Sequence, residues 1–550
     1  MQSRGSCGCL LVLLTVLLTP VPVLVPAQSG PTESELRAIV GSARLEGLRW
    51  PEFARDRSIL QRLYESTAYA PLWLDRGRPI PQARDAIAAL RDADAKGLDP
   101  RDYDADVLGE QAQRLAADGE VPPSALARFD AALSIAVVRL ISDLHVGRVN
   151  PRSLHLGYDV DAKKSELTAL AYDTIRYGRI REGIDAVEAS FTQRRLLQAQ
   201  LARYRQLARD VSLAPVELRP TIRPGDPLGA ASPLAHWLVA LGDLAADVPV
   251  SPAYEGALVE AVQRFQLHHG LAPDGVIGAA TAKALAVPAA ARVRQIELAL
   301  ERLRWLPVLE RGRAVFVNVP AFEVVAFDDI GAGKAPVLQM SVVVGRAFRT
   351  ETPFFTGAME TVVFAPYWNV PRSIVRKEIL PRLRKDPAYL AAQEMEIVSV
   401  GRVLAPTADA IERLAQGGAE LRQRPGPQNA LGRVKFLFPN AYRAYMHDTP
   451  ARHLFERTQR DFSHGCIRLA DAAALARWVL AGEGWDAARV DDMLAATRET
   501  FVPLRHPIPV VIAYATAVAH LDGTIAFYDD IYGHDAALER ALDGGFRYLR

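Results

Sequence analysis

Cysteine is nearly absent from this chain. Three occur in 550 residues, and two of them, Cys7 and Cys9, fall within the first nine positions. Beyond that point only Cys466 remains, so the rest of the chain has no disulfide partner for it and no cysteine cluster for a metal. A dominant sign of charge is missing too. Lys and Arg total 65, Asp and Glu 64, and the formal net charge is +1. With no domain-wide basic run there is no global field to draw nucleic acid, and a nucleic-acid partner is not expected. What is present is ordinary for a soluble globular protein, 49% apolar and 23% charged residues. A chain of 550 residues exceeds one core, and roughly two to four domains are expected.

The N-terminus departs from this average. MQSRGSCGCLLVLLTVLLTPVPVLVPAQSG has one early cation, Arg4, then an apolar run over residues 10–25, interrupted by Pro20 and Pro22. Val25, Pro26 and Ala27 supply small residues before a cleavage point near Gln28. This is the layout of a secretory signal over residues 1–27. The run is short for a membrane span of about 20 residues. The expectation is export to the periplasm or cell envelope, with the chain held at the membrane if the segment is not cleaved. Cys7 and Cys9 leave with the signal, and Cys466 stands alone in an oxidising compartment. An odd thiol there is either buried and inert or reactive.

Residues 30–215 read as helical, with apolar positions at helical spacing in RDAIAAL and AALSIAVV. The segments DRGRPIP, KGLDPRDYD and HVGRVNPR break the helices. Asp143 and His145 are two apart, do not share a helix face, and read as structural. A Pro/Gly-rich boundary, LRPTIRPGDP, opens a small unit over 218–288. Its run Ala261-Val262-Gln263-Arg264-Phe265-Gln266, then Gly270-Leu271, Pro273-Asp274-Gly275, Ile277-Gly278 and Thr281, resembles the small three-helix peptidoglycan-binding domain. Thr281 reads as a helix cap. His268 and His269 read as solvent-facing, because no second ligand pair lies near them.

From residue 312 to 550 the texture is β-rich. Runs such as AVFVNV, FEVVAF and LQMSVVV alternate with turns. The last two strands are expected at 510–517 and 524–528, joined by a hairpin turning at Asp522-Gly523. Residues 372–425 read as a charged, helical insertion capping a cleft. The fold class expected is multidomain α+β, with a helical scaffold, a small helical unit and a mainly antiparallel β domain.

The chemistry centres on DFSHGCIRLAD. A cysteine nucleophile needs a base and donors for an oxyanion. Gly465 lets a bound carbonyl approach, and the Gly465 and Cys466 N–H groups could form the oxyanion hole. His447, in YMHDTP, lies nineteen residues earlier, far enough for a loop to return. His464 is two residues from Cys466, and strand geometry by itself leaves it a candidate base. A papain-like peptidase would place its cysteine before the histidine, whereas here His447 comes first.

The stretch GPQNALGRVKFLFPNAYRAYMHDTPARHLFERTQRDFSHGCIRL resembles the active-site region of the L,D-transpeptidases, the YkuD-type catalytic domain. LYESTAYAPLWLDRGRP and GLDPRDYD resemble the scaffold of the large multidomain branch, and PYWNVPRSI resembles its catalytic entry strand. The resemblance implies Cys466 as nucleophile and His447 as base, oriented by the backbone carbonyl of the following residue. It implies an oxyanion hole at Gly465 and Cys466 assisted by Tyr445. Ser463, His464 and Arg468 belong to the motif as loop-ordering or substrate-binding residues. Arg468 is either a loop brace or a carboxylate clamp, and Trp368 and Tyr367 are either substrate contacts or core. Many relatives carry glycine where this chain has Asp448, which could alter the base. The implied reaction is attack on a peptidoglycan stem tetrapeptide, release of D-alanine, a thioester, and transfer to an amine to form a 3→3 cross-link. No metal or nucleotide cofactor is implied, and carbapenem-type β-lactams are implied as acylating inhibitors. The alternative is an L,D-carboxypeptidase with water as acceptor. A non-catalytic wall-binding module is disfavoured by the intact Ser-His-Gly-Cys motif.

Overall fold

A computed structural model describes residues 30–544 apart from 118, 189–191, 220, 230, 250, 310 and 387. The expected signal segment lies outside the described residues. A helical N-terminal region precedes a β-rich C-terminal domain. The centre of the helical region is the helix Pro123–Val146, buried at every position from Phe129 to Val146. A helix apolar on all sides must be wrapped by others, and Pro31–Ser42, Pro81–Arg91 and Asp161–Arg176 pack around it. Its buried acids are paired within the helical region, Asp143 also lying 3.6 Å from the Arg55 guanidinium. Asp130 accepts from the N–H groups of Leu72 and Trp73 and from the Tyr64 hydroxyl. Asp143 accepts from the Tyr103 hydroxyl at 2.8 Å, and His145 meets the Lys163 carbonyl at 3.1 Å.

A middle layer holds the helices Thr192–Arg209, Ala231–Leu241, Ala257–His268, Ala279–Leu285 and Ala289–Trp305. The last runs on past the small unit and touches all the neighbouring parts. Three expectations need correction here. The histidines are not solvent-facing: His268 pairs with Asp243 at 2.7 Å, and His269 stacks on Phe265 with ring centroids 3.8 Å apart. Thr281 does not cap; it lies inside its helix and accepts from buried Gln266. The expected strand over 510–517 is two pieces. One ends at Ala513 in the large sheet, while Ala517–Ala519 pairs with Ile525–Phe527 and joins the core of the middle layer. The break is fixed by Asn318, whose side chain accepts from the Ala515 N–H and donates to its carbonyl.

The β domain is one nine-stranded sheet. Its strands are β1 (Ala314–Asn318), β2 (Glu323–Phe327), β3 (Leu338–Gly345), β4 (Phe355–Phe364), β5 (Val434–Leu437), β6 (Met446–His447), β7 (Asp461–Ser463), β8 (Ile467–Leu469) and β9 (Thr500–Ala513). The order is β7-β3-β8-β6-β5-β4-β9-β1-β2, and β2 pairs back onto β3, so the sheet closes on itself. Most pairings are antiparallel; β6 with β8, β7 with β3, and β9 with β1 are parallel. Valines and aromatics that alternate along the strands fill the inside.

The insertion is not purely helical. Strands Met395–Ser399, Arg402–Leu404 and Glu420–Gln423 form a sheet with Trp368–Asn369 at its root. Helical segments from Arg372 to Leu383 and over Ala408–Gln416 pack on it around a separate core of Leu383, Ile397 and Leu421. The sequence reading missed these strands because each has only 3–5 residues, too few for a clear alternation.

Candidate active site

Two short parallel strands carry the site. β6 and β8 pair as Met446 with Ile467 and His447 with Arg468. Met446, Ile467 and Leu469 are fully buried in the sheet interior. Side chains alternate along a strand, so Tyr445, His447, Cys466 and Arg468 fall on the opposite face. The Ile467 N–H donates to the Tyr445 carbonyl at 3.1 Å and sets Cys466 beside Tyr445. The same register extends across the sheet. Val363 pairs with Lys435, Lys435 with His447, His447 with Arg468, and Arg468 with Val343. The histidine therefore sits between two cations in one cross-strand row.

His447 is 4% exposed, and its Nδ1 lies 2.5 Å from the backbone carbonyl of Asp448. A carbonyl only accepts, so Nδ1 carries the hydrogen and Nε2 is the free acceptor. Burial, then Arg468 and then Lys435 lower its pKa to about 3, against the opposing pull of the Asp448 carbonyl. Cys466 is half-buried, and burial pushes its thiol above the ordinary value, opposed by Tyr445 and Arg468. The Tyr445 hydroxyl is hydrogen-bonded to the Cys466 side chain, and its ring lies 5.6 Å from that of His447. Burial raises the Tyr445 pKa further. Both shifts favour a neutral imidazole and a protonated thiol.

The carboxylate of Asp448 does not face the imidazole. It accepts from the Arg433 N–H at 2.9 Å and pairs with Arg452 at 2.5 Å. Gly432 makes room for it: φ there is +60°, and a Cβ would fall on that carboxylate. Asp448 therefore reaches the His447 ring through its backbone carbonyl, while its side chain fastens the turn.

Ser463 organises the loop. Its Oγ donates to the Cys466 carbonyl at 2.6 Å and accepts from the Gly465 N–H at 3.0 Å. The Gly465 N–H is already occupied and is not free to meet an oxyanion in this structure, contrary to expectation. Among the described residues the Cys466 N–H has no partner, while the Tyr445 hydroxyl and backbone N–H both hydrogen-bond the Cys466 side chain. Gly465 has φ +111°, a bend that turns His464 out of line with Cys466. The His464 Nε2 lies 2.6 Å from Glu378 of the insertion, so its ring is engaged there.

The Arg468 guanidinium is largely buried, which lowers its pKa against the pull of Cys466. Its Nε has no hydrogen-bond partner among the described residues. Trp368 packs in the insertion core, and the Arg422 guanidinium lies 4.3 Å over the Tyr367 ring. The tertiary structure adds two residues that the sequence did not single out, Lys435 opposite His447 and Glu378 against His464. Lys435 gave a faint signal, a lysine within an apolar strand. Glu378 gave none.

The site's elements fall within residues 312–505, which match the family model of the L,D-transpeptidase catalytic domain. Residues 233–285 match a "Putative peptidoglycan binding domain", and residues 58–201 match a scaffold domain. A curated protein of Haemophilus influenzae, described as a "Putative L,D-transpeptidase", is 31% identical over 249 residues. The alignment covers 45% of this chain and 49% of that protein, so the chain spans about half the length of the curated relative it matches. A solved L,D-transpeptidase from Xylanimonas cellulosilytica is 16% identical and covers 54% of this chain and 100% of its own, with a TM-score of 0.18. That score is too low to support a shared arrangement.

Proposed function

Starting from a chain that carries the L,D-transpeptidase catalytic domain beside peptidoglycan-binding and scaffold domains, we propose that it is a peptidoglycan L,D-transpeptidase of the cell envelope. Cys466 is the nucleophile and His447 the base. The observation that carries this reading is the shared face of β6 and β8, where thiol, imidazole, phenol and guanidinium stand together.

The thiol gives its proton to His447 Nε2 as sulfur attacks the carbonyl of the third stem residue. The oxyanion meets the Cys466 N–H and the Tyr445 hydroxyl. When the tetrahedral adduct collapses, the C–N bond to D-alanine breaks and the imidazolium protonates the leaving amine. A thioester remains. An acceptor amine attacks it, His447 removes the amine proton, and the thiolate departs with that proton restored to it. The unpartnered Arg468 suits a carboxylate of the stem peptide, because a buried guanidinium without a counter-ion gains most from an anionic ligand. The insertion engages the loop through His464 and Glu378, which favours shielding the thioester from water and hence aminolysis.

The test is mass spectrometry of the protein incubated with disaccharide-tetrapeptide, with a Cys466→Ala control. A Cys466-dependent cross-linked dimer lacking one D-alanine supports the transpeptidase. Tripeptide monomer alone would make water the acceptor and the protein an L,D-carboxypeptidase.

A further inference from the structure

We infer that Lys435 is a positioning residue acting through His447: lodged beside the imidazole in the cross-strand row and tied to Glu499, its ammonium holds the base in its neutral, proton-accepting form. The register is the first ground. Lys435 on β5 is the direct partner of His447 on β6, and Arg468 on β8 is its partner on the other side. Directly opposed residues have Cβ atoms about 5 Å apart, and like charges so placed repel. A protonated His447 would be the middle cation of three.

The second ground is burial. The Lys435 side chain is 13% exposed, and its Nζ lies 3.8 Å from Glu499 Oε1. A lysine is rarely enclosed without a partner. Glu499 also accepts from the Tyr367 N–H at 2.9 Å, so its charge is shared between two donors. Burial lowers the Lys435 pKa and Glu499 opposes this, which keeps the ammonium in place. The other groups about the imidazole are Tyr445 just before β6, Cys466 just before β8, and Arg468 on β8. The Asp448 carboxylate is turned to Arg433 and Arg452. Among the described residues Glu499, held to Lys435, is the anion that partly offsets the flanking cations, and both cations still depress protonation of the ring, Arg468 more than Lys435.

The inference rests on His447 as the base of the proposed reaction, but its test needs no substrate. With histidine labelled at Cε1 and the His447 signal assigned from a His447→Gln variant, the whole protein is titrated by NMR. In the native protein and in Lys435→Arg, His447 stays neutral across the roughly pH 5 to 8 window in which free imidazole titrates. In Lys435→Met its midpoint rises above the native one by part of the whole depression, since burial and Arg468, the larger causes, remain. In parallel, the acid limb of D-alanine release moves to higher pH in Lys435→Met, with the plateau regained at high pH. Should that variant not fold, Glu499→Gln is decisive: with the counter-charge gone, the acid limb moves to lower pH. A purely structural lysine would lower the plateau and leave the limb where it was. Unchanged midpoints in Lys435→Met, or an unmoved limb in Glu499→Gln, would overturn the inference. A shifted midpoint in a protein that processes no stem peptide would instead overturn the transpeptidase reading and leave the electrostatic one standing.

Discussion

At the residue scale, the site departs from the familiar thiolate–imidazolium pair, because burial and the flanking cations disfavour His447 protonation while burial raises the Cys466 thiol. Alkylation of Cys466 by iodoacetamide in the absence of substrate should therefore show no reactive plateau near neutral pH. It should rise only as pH passes the ordinary thiol value of 9.0. A rate that levels off below pH 7 would contradict the neutral pair. The Asp448 turn gives a second prediction. Gly432→Ala drives a Cβ onto the Asp448 carboxylate at a backbone angle that favours glycine, so the turn must shift. Strain of this kind costs about 1–3 kcal/mol. Turnover should fall more than the melting temperature does, since the same peptide orients the imidazole through its carbonyl. Measured kcat and thermal melts separate the two. His447→Ala should reduce D-alanine release by roughly 10²–10⁴-fold, the usual worth of a general base, with the fold intact by circular dichroism.

The proposed nucleophile and base could be singled out at this scale because both lie in short motifs, Ser-His-Gly-Cys and His-Asp-Thr-Pro. The cationic row was not. Which residue of one strand opposes which of the next is set by hydrogen bonding between segments far apart in sequence, and no local pattern in VKFLF announces a histidine beside Lys435. Similarly, the expected oxyanion role of the Gly465 N–H could not foresee Ser463 bending back to take it.

At the element scale, the insertion and the cysteine loop meet through one exposed pair, His464 with Glu378. Such a pair is worth roughly 1 kcal/mol or less to stability. Glu378→Ala should therefore leave the melting temperature nearly unchanged. If the pair helps hold the insertion over the thioester, the ratio of tripeptide to cross-linked dimer should rise. Product ratios by mass spectrometry decide it, and an unchanged ratio would separate the insertion from acceptor choice. Secondary-structure type was readable for long periodic segments such as Pro123–Val146. It failed for the short insertion strands and for the run across 510–517, where the apolar pattern is continuous and only packing divides it.

At the scale of the whole molecule, the β domain does not own all of its core. Val146, Val149, Leu156 and Tyr158 of the helical region, with Leu298 and Trp305 of the long helix, are part of the same cluster as the barrel valines. The Tyr158 hydroxyl donates to the Ile512 carbonyl at 2.7 Å, and the Gly157 N–H to the Phe354 carbonyl at 2.9 Å. A fragment of residues 312–550 should therefore be poorly soluble or melt well below the full chain, a comparison that expression and thermal melts provide. Glu301 is the matching single-residue test. It accepts from the Arg148 and Val149 N–H groups and pairs with buried Arg304. Glu301→Ala strands that arginine without its charge partner, and a loss of about 3–5 kcal/mol is expected.

The sequence by itself singled out Cys466 and His447 as the candidate nucleophile and base, and determined the helical and β-rich divisions and the peptidoglycan-related character of the small unit, because each rests on residues close together in the chain. Only the tertiary structure decided which charges flank His447, which N–H groups are free, that the insertion reaches His464, and that distant helices complete the barrel's core. Those depend on strand register and on the packing of segments hundreds of residues apart, and neither is written in any local stretch.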